Sequence, residues 1–258
     1  MEVKSAEILC IGGANGSGKS TLAQICAGLL TPSSGSVYYL DKKVESRNNL
    51  LELRKKVGLL FQSPEDQLFA DTVEKDISFG PRNRGLRGAE LDARVRTAAS
   101  LFDLSLEELG ARTPFALSVG EKRRVALAGV LALEPEVLVL DEPFIGMDFD
   151  ARQHMQSLLG RLRDDRGTSI VIITHELSSS WLLADRYALL AGGGLERLQS
   201  RSELVEKESD LIALGLRLPQ WGVLANSLKE MGIFVEDPAD PLALARAICS
   251  IREGSDGR

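Results

Sequence analysis

The stretch GGANGSGKST at residues 12–21 constrains this chain more than any other. Gly13, Gly18, Lys19 and Ser20 fit the spacing G-x-x-x-x-G-K-(S/T). Glycines let the backbone bend until several N–H groups face one anion, and a helix starting at the loop adds the positive end of its dipole. The lysine of such a loop reaches the β- and γ-phosphates, and the hydroxyl after it faces Mg²⁺. EILCIG at 7–12 reads as a buried strand leading in. STLAQICAGLL at 20–30 reads as a helix leading out, with Leu22, Ile25, Cys26, Leu29 and Leu30 on one face. With a strand before it and a helix after it, the loop is read as a grip on a nucleoside triphosphate rather than as a glycine-rich turn. Its contact residues are Gly13, Ala14, Asn15, Gly16, Ser17, Gly18, Lys19, Ser20 and Thr21. Kinases, GTPases, recombinases, helicases and transporter motors all use such a loop, so the rest of the chain must separate them.

The 258 residues allow one large or two modest domains. A formal charge of −6 argues against a general nucleic-acid binder. Cys10, Cys26 and Cys249 are few, widely spaced and without metal-ligand spacing, which reads as reduced thiols. Only His154 and His175 are present, too few for a histidine-built metal site. No apolar run reaches the roughly 18 residues of a membrane helix. The richest, VLALEPEVLVL at 130–140, is interrupted by Glu134, Pro135 and Glu136. The N-terminus carries no basic-then-apolar signal. The chain is expected to be cytosolic and, if it serves a membrane, to do so as a peripheral subunit.

Along the chain, SVYYL (36–40), VGLLF (57–61), EVLVLDE (136–142), TSIVIITHE (168–176) and RYALLAGG (186–193) read as strands. Residues 73–133 read as mostly helical with breaks at GPRNRG and ARTP, and another helix is expected at about 150–164. This alternation predicts an α/β fold around a parallel sheet with a helical insertion. From 207 to 258 the pattern becomes two short helices around a brief extended piece, a small α/β appendage.

Asp141 and Glu142 fall at the C-terminal end of a buried strand, where open parallel sheets place their sites. Asp141 is placed to hold Mg²⁺ through water. Glu142 is placed to orient or deprotonate an attacking water.

LSVGEKRRVALAGVLALEPEVLVLDEP at 117–143 resembles the ATP-binding-cassette (ABC) ATPases. Leu117-Ser118-Val119-Gly120-Glu121 stands where that family keeps its signature Leu-Ser-Gly-Gly-Gln, ahead of the Asp-Glu strand. The resemblance implies a P-loop NTPase fold and two ATPase chains packed head to tail. The signature, through Ser118 and Gly120, closes on the ATP held by the partner. Ser118 and Glu121 also fit a plain capping box, and both roles are compatible. Gln62 matches the Q-loop glutamine, which touches Mg²⁺ beside the transporter contact, so the metal set is Ser20, Gln62 and Asp141. Asp148 matches the D-loop aspartate, and His175 the switch histidine that contacts the γ-phosphate. The resemblance covers residues 7–200, with an ATPase domain at 1–206, a helical subdomain near 82–133 and the appendage at 207–258.

FQSPEDQLFADTVEKDISFGP at 61–81 resembles the energy-coupling-factor branch, which drives import of cobalt, nickel and water-soluble vitamins. That branch implies a paired ATPase chain, alike or different, and a transmembrane coupling subunit docking near Gln62–Phe69, where Leu68 and Phe69 are expected to offer apolar surface. A separate substrate-binding membrane protein completes the complex. The location implied is the cytoplasmic face of the cell membrane, with no nucleic acid involved. In the same branch the tail at 207–258 is expected to help the ATPases dimerise.

Three features depart from the family pattern. MEVKSAE (1–7) is a short lead-in without the aromatic that stacks on adenine, which reads as truncated edge strands. Val119 replaces the first signature glycine and Glu121 the glutamine. Phe144 and Ile145 follow Glu142, where small or polar residues are common. The alternatives are a hydrolytically weak subunit of a heterodimeric pair, or a soluble ABC ATPase outside transport.

Overall fold

The computed structural model describes residues 1–255, without the side chains of 196–199 and 250–255. In chain order the elements are β1 (Ile8–Gly12), α1 (Lys19–Cys26), β2 (Tyr38–Tyr39), β3 (Lys42–Lys43), α2 (Arg47–Lys56), β4 (Val57–Leu60), α3 (Val73–Asn83), α4 (Gly88–Ser100), α5 (Leu106–Leu109), α6 (Val119–Leu131), β5 (Val137–Asp141), α7 (Phe149–Arg166), β6 (Ser169–Thr174), β7 (Arg186–Ala191), β8 (Gly194–Gln199), α8 (Arg201–Glu206), α9 (Glu208–Ala213), α10 (Gln220–Glu230) and α11 (Pro241–Ser255). The chain forms two compact units. One contains Glu2–Glu7 and Lys19–Ile173. The other contains Met1, Ile8–Gly18 and the chain from Thr174 on.

In the first unit β4, β5 and β6 run parallel, with Leu60 opposite Leu140 and Asp141 opposite Ile173. Their residues are apolar almost without interruption because both faces of the sheet are covered. Helix α1 packs against β4 and β5. It is shorter than the expected 20–30. Gly28, in the left-handed region at φ +68°, ends the turn after it, and a side chain there would meet Leu50 and Leu53 at 2.9 and 3.0 Å. Leu29 and Leu30 are consequently exposed rather than on the helix's apolar face. The strand expected at 36–40 shrinks to a two-residue antiparallel hairpin, turned through Leu40 and Asp41 at φ +47° and +62°. The expected break at GPRNRG falls late: α3 continues through Pro81 to Asn83. Proline removes one helical donor. Arg84, whose N–H reaches the Gly80 and Pro81 carbonyls, closes the end. Helices α3, α4 and α6 pack on one another, forming the helical insertion.

In the second unit β1 and β7 are parallel, with Gly12 opposite Leu189. Strand β8, not anticipated from the sequence, returns antiparallel to β7 through Gly192 and Gly193, both at positive φ. Trp181 and Tyr187 are fully buried, and the Trp181 indole N–H donates to the Ala239 carbonyl at 3.0 Å. No strand forms in the appendage among the described residues: turns and irregular segments at 214–219 and 231–240 join α9, α10 and α11. Ile233–Glu236 follows Gly232 and precedes Pro238 and Pro241, meets no strand edge, and leaves Phe234 exposed.

Candidate active site

The phosphate-loop residues 13–18 and His175 lie in the second unit. Strand β1 delivers the chain to Gly13, whose N–H donates to the Thr174 carbonyl at 3.3 Å. A Cβ on Gly13 would sit 2.6 Å from the Leu190 carbonyl oxygen and 2.7 Å from Ser17 Oγ, so only glycine passes there. Gly16 and Gly18 take φ of +80° and +100°, which turns successive amides toward one side. Ala14 is half-buried, Asn15, Gly16 and Gly18 are exposed, and Ser17 Oγ is buried with no hydrogen-bond partner. A loop that turns successive amides to one side suits an anion. His175 follows directly on Thr174 and is half-buried. The Glu176 N–H donates to Thr174 Oγ1 at 3.0 Å, and that hydroxyl donates to the Glu176 carbonyl at 3.1 Å. These two bonds pin the chain on both sides of His175.

Lys19, Ser20, Asp141 and Glu142 come together in the first unit. Lys19 is buried at the start of α1, and Ser20 and Thr21 are exposed beside it. Strand β5 ends at Asp141, which the Ser20 hydroxyl hydrogen-bonds. Asp141 Oδ1 is buried without a partner. Burial pushes the Asp141 carboxyl above its ordinary pKa. The neighbouring Glu142 charge pushes the same way, and the Ser20 bond and Lys19 charge oppose it. Glu142 is equally buried and takes φ +53°, a left-handed conformation uncommon for a residue with a side chain. Its N–H donates to the Ile173 carbonyl at 2.8 Å.

The remaining expected residues stand at exposed element ends. Gln62 is exposed just beyond β4. Ser118 caps α6: its Oγ accepts the Glu121 N–H at 3.3 Å, and Glu121 Oε2 accepts the Ser118 N–H at 2.9 Å. The Ser118 hydroxyl and N–H hold the Glu121 carboxyl below the usual carboxylate range. Gly120 faces open space, and Val119 is 71% exposed. Asp148 caps α7 by accepting the Ala151 N–H at 2.8 Å. The apolar surface expected at Leu68–Phe69 is only half present. Leu68 is buried, because the turn Pro64–Gln67 directs it inward, and Phe69 alone is exposed.

Three residues that hold this machinery escaped the sequence reading. Gln67, not Gln62, fixes the loop after β4, accepting from Phe61 N at 3.0 Å and donating to the Leu59 carbonyl at 3.2 Å. Asp76 Oδ2 accepts the N–H groups of Phe69 and Ala70 at 3.0 and 2.9 Å. Arg123 of α6 donates to the carbonyls of Glu142, Pro143 and Ile145. Each of the three bonds backbone atoms outside its own element, for which residue type and spacing give no signal.

The family model described as ABC transporter matches residues 1–145. The energy-coupling factor transporter ATP-binding protein EcfA2 of Clostridioides difficile is 39% identical, across all of this chain and 89% of its own length. Its counterpart in Listeria innocua is 42% identical, over 80% of this chain and 73% of its own. Among solved structures, CbiO1 of Clostridium perfringens, described as part of the ABC transporter complex cbiONQ, superposes with a TM-score of 0.72 at 36% identity, covering 88% of this chain and 90% of that one. The cassette MJ0796, described as a dimer in a post-hydrolysis state bound to ADP and Pi, gives 0.70 at 28% identity, covering 78% and 88%. With a phosphate loop, a buried Asp-Glu pair and a signature-capped helix in one chain, and full-length relatives of this kind, the chain belongs to the ABC transporter ATPases and is a homologue of the energy-coupling factor ATP-binding subunits.

Proposed function

We propose that this chain is the peripheral subunit at the cytoplasmic face of the cell membrane whose ATP hydrolysis energises an energy-coupling-factor importer of cobalt or nickel ions or of water-soluble vitamins. The observation that carries the reading is the hydrogen bond from Ser20 to Asp141, with Glu142 next along the chain. It puts the last part of the phosphate loop against the carboxylate pair. Identity to energy-coupling subunits across the whole chain supports the transport role.

Gly13, Ala14, Asn15, Gly16, Ser17 and Gly18 wrap the phosphates with backbone N–H groups, Lys19 neutralises them, and Thr21 completes the loop. Mg²⁺ fits the residues present: Asp141 keeps one buried oxygen without a partner beside the Ser20 hydroxyl, and both are hard oxygen donors. Ser20, Asp141 and Gln62 would hold it, and when bound it supplies positive charge to the phosphate oxygens. Glu142 orients and deprotonates the attacking water, and His175 contacts the γ-phosphate. Ser118 and Gly120 of a second ATPase chain, alike or different, close over the nucleotide, with Asp148 at that junction. A transmembrane coupling subunit docks near Gln62–Phe69, a separate membrane protein selects the cargo, and the tail from 207 helps the two ATPases pair.

Glu142→Gln tests the reading. It keeps the shape of the side chain and removes the base, so it is expected to bind ATP without turning it over. Its mass in solution with and without Mg·ATP, alone and with a second energy-coupling ATPase, is expected to show a nucleotide-dependent dimer. A monomer under saturating ATP in both cases would overturn the head-to-tail arrangement.

A further inference from the structure

The tail makes a contact that pairing of two chains does not require. Helix α9 ends in a Schellman-type turn: the Leu216 N–H donates to the Leu211 carbonyl at 2.8 Å and the Gly215 N–H to the Ile212 carbonyl at 3.0 Å. Gly215 takes φ +72°, which suits glycine, and the residue after it is sent inward. Leu216 is 1% exposed. Its Cδ1 lies 3.1 Å from the position of a Cβ on Gly12, in the same space that Leu177 Cδ2 approaches to 3.0 Å. A Cβ on Gly215 would stand 3.4 Å from the Cβ of Ala14. The turn therefore rests against the residues immediately before and after Gly13, while Leu190 and Ser17 confine Gly13 itself. Leu177, which shares the Gly12 contact, is two residues beyond His175.

We propose that Gly215 and Leu216 are positioning residues for the phosphate loop. The C-terminal segment braces the root of the loop and thereby sets how tightly the chain holds ATP. A phosphate cradle binds well only if its N–H groups are aimed before the ligand arrives. Close packing transmits a missing methyl group to its neighbours, since interiors hold few voids. Removing the Leu216 side chain opens space directly under Gly12, and the loop relaxes into it. The inference rests on the reading of Gly13–Gly18 as the ATP phosphate loop.

The test uses the full chain, with the ATP dissociation constant from titration and the thermal midpoint of the nucleotide-free protein measured side by side. Leu216→Ala is expected to weaken ATP binding by about tenfold. Leu216→Met, which refills the space, is expected to restore it to within about twofold. Leu228→Ala, a buried leucine of α10, whose helix packs on α8 and α11, serves as control. It is expected to lower the midpoint and leave ATP affinity unchanged. If Leu216→Ala lowers the midpoint like the control while its ATP affinity stays at the level of the unaltered chain, the positioning role is wrong. Should Leu216→Ala fail to fold, Leu216→Val carries the same expectation in smaller measure. Failure of the unaltered chain itself to bind ATP would overturn the nucleotide-site reading, and the positioning role with it.

Discussion

The Arg123 guanidinium lies 2.8 Å from the Glu142 carbonyl oxygen and 2.6 Å from that of Pro143, and it donates to Ile145 as well. One planar cation from α6 thus holds three carbonyls of the stretch from Glu142 to Ile145. Glu142 sits at φ +53°, a conformation that costs of order 1–3 kcal/mol and persists only where its surroundings hold it. The arginine adds to the hold that the Ile173 carbonyl gives the Glu142 N–H, and it makes the posture of Glu142 depend on α6.

Arg123→Ala is therefore expected to lower kcat at least tenfold while leaving the ATP dissociation constant nearly unchanged. The loop is freed but the phosphate cradle is not touched. A hydrogen bond from a charged donor contributes about 1.5–3 kcal/mol; these three share one partly exposed guanidinium and do not add in full, so a total loss of roughly 2–4 kcal/mol in urea unfolding is expected. Arg123→Lys should recover little activity, since a point charge cannot span three carbonyls in a fork. Parallel loss of affinity and kcat would argue against this division of labour.

Asp141 gives a prediction about pH. Its carboxyl is pushed above the ordinary aspartate value by burial, so the folded chain keeps that proton at a pH where the unfolded chain has released it. The group's contribution to stability falls as pH rises from the ordinary aspartate range through the raised value, and stays low at neutral pH. Asp141→Asn removes the buried charge. It is expected to stabilise the nucleotide-free chain at neutral pH by about 1 kcal/mol, roughly 2–4 °C in Tm. It should also flatten the loss of stability just above the aspartate range and abolish Mg²⁺-dependent hydrolysis. A drop in Tm at neutral pH would show instead that the Ser20 bond and the Lys19 charge outweigh the desolvation.

The phosphate loop, the Asp-Glu strand end and the signature helix were legible because each couples residue type to a local backbone shape. Gly13, Gly18 and Lys19 work through spacing alone, and β5 is apolar from Val137 to Leu140 before it ends in Asp141. Ser118 and Glu121 form the capping box that their spacing predicts. What escaped was tertiary or conformational. Nothing in RNNLLELRKK announces α2, a mostly polar segment whose stability comes from its Ser46 cap and a single buried leucine, Leu53. Apolar periodicity ran past Gly28 because pattern does not register a left-handed glycine. Leu68 and Phe69 are neighbours of similar character, yet a turn at Pro64–Gln67 buries one and exposes the other. Gly12 and Leu216 are some two hundred positions apart in the chain, and only the fold joins them.

Gly120 separates the fold of the signature from its use. A Cβ there meets nothing within 4 Å, and the residue lies in the first turn of α6. Gly120→Ala should therefore be neutral or stabilising, by up to about 1 kcal/mol from reduced freedom of the unfolded chain. If the signature closes on a partner's nucleotide, the added methyl stands where backbone must approach phosphate. Turnover is then expected to fall tenfold or more with Tm unchanged or raised. Unchanged turnover would remove Gly120 from the nucleotide junction.

Phe69 and Phe79 stack edge to face with ring centroids 4.6 Å apart, and both are about half exposed. The pair is held from below: Asp76 accepts the N–H groups of Phe69 and Ala70, and Leu68 is buried as an anchor. Two exposed rings, Phe69 after the Pro64–Gln67 turn and Phe79 on α3, are costly to leave in water and suit an apolar partner. Phe69→Ala with Phe79→Ala is expected to cost the isolated chain little, about 1 kcal/mol or less beyond the lost ring pair, because neither ring is in the core. ATP affinity should not change, since neither ring belongs to the phosphate loop or the carboxylate pair. Recovery with membranes that carry the transmembrane coupling subunit should be lost. Asp76→Ala is expected to weaken the same recovery while also costing about 1–3 kcal/mol, because two N–H groups lose their acceptor. Normal membrane recovery of the double variant would place the docking surface away from these rings.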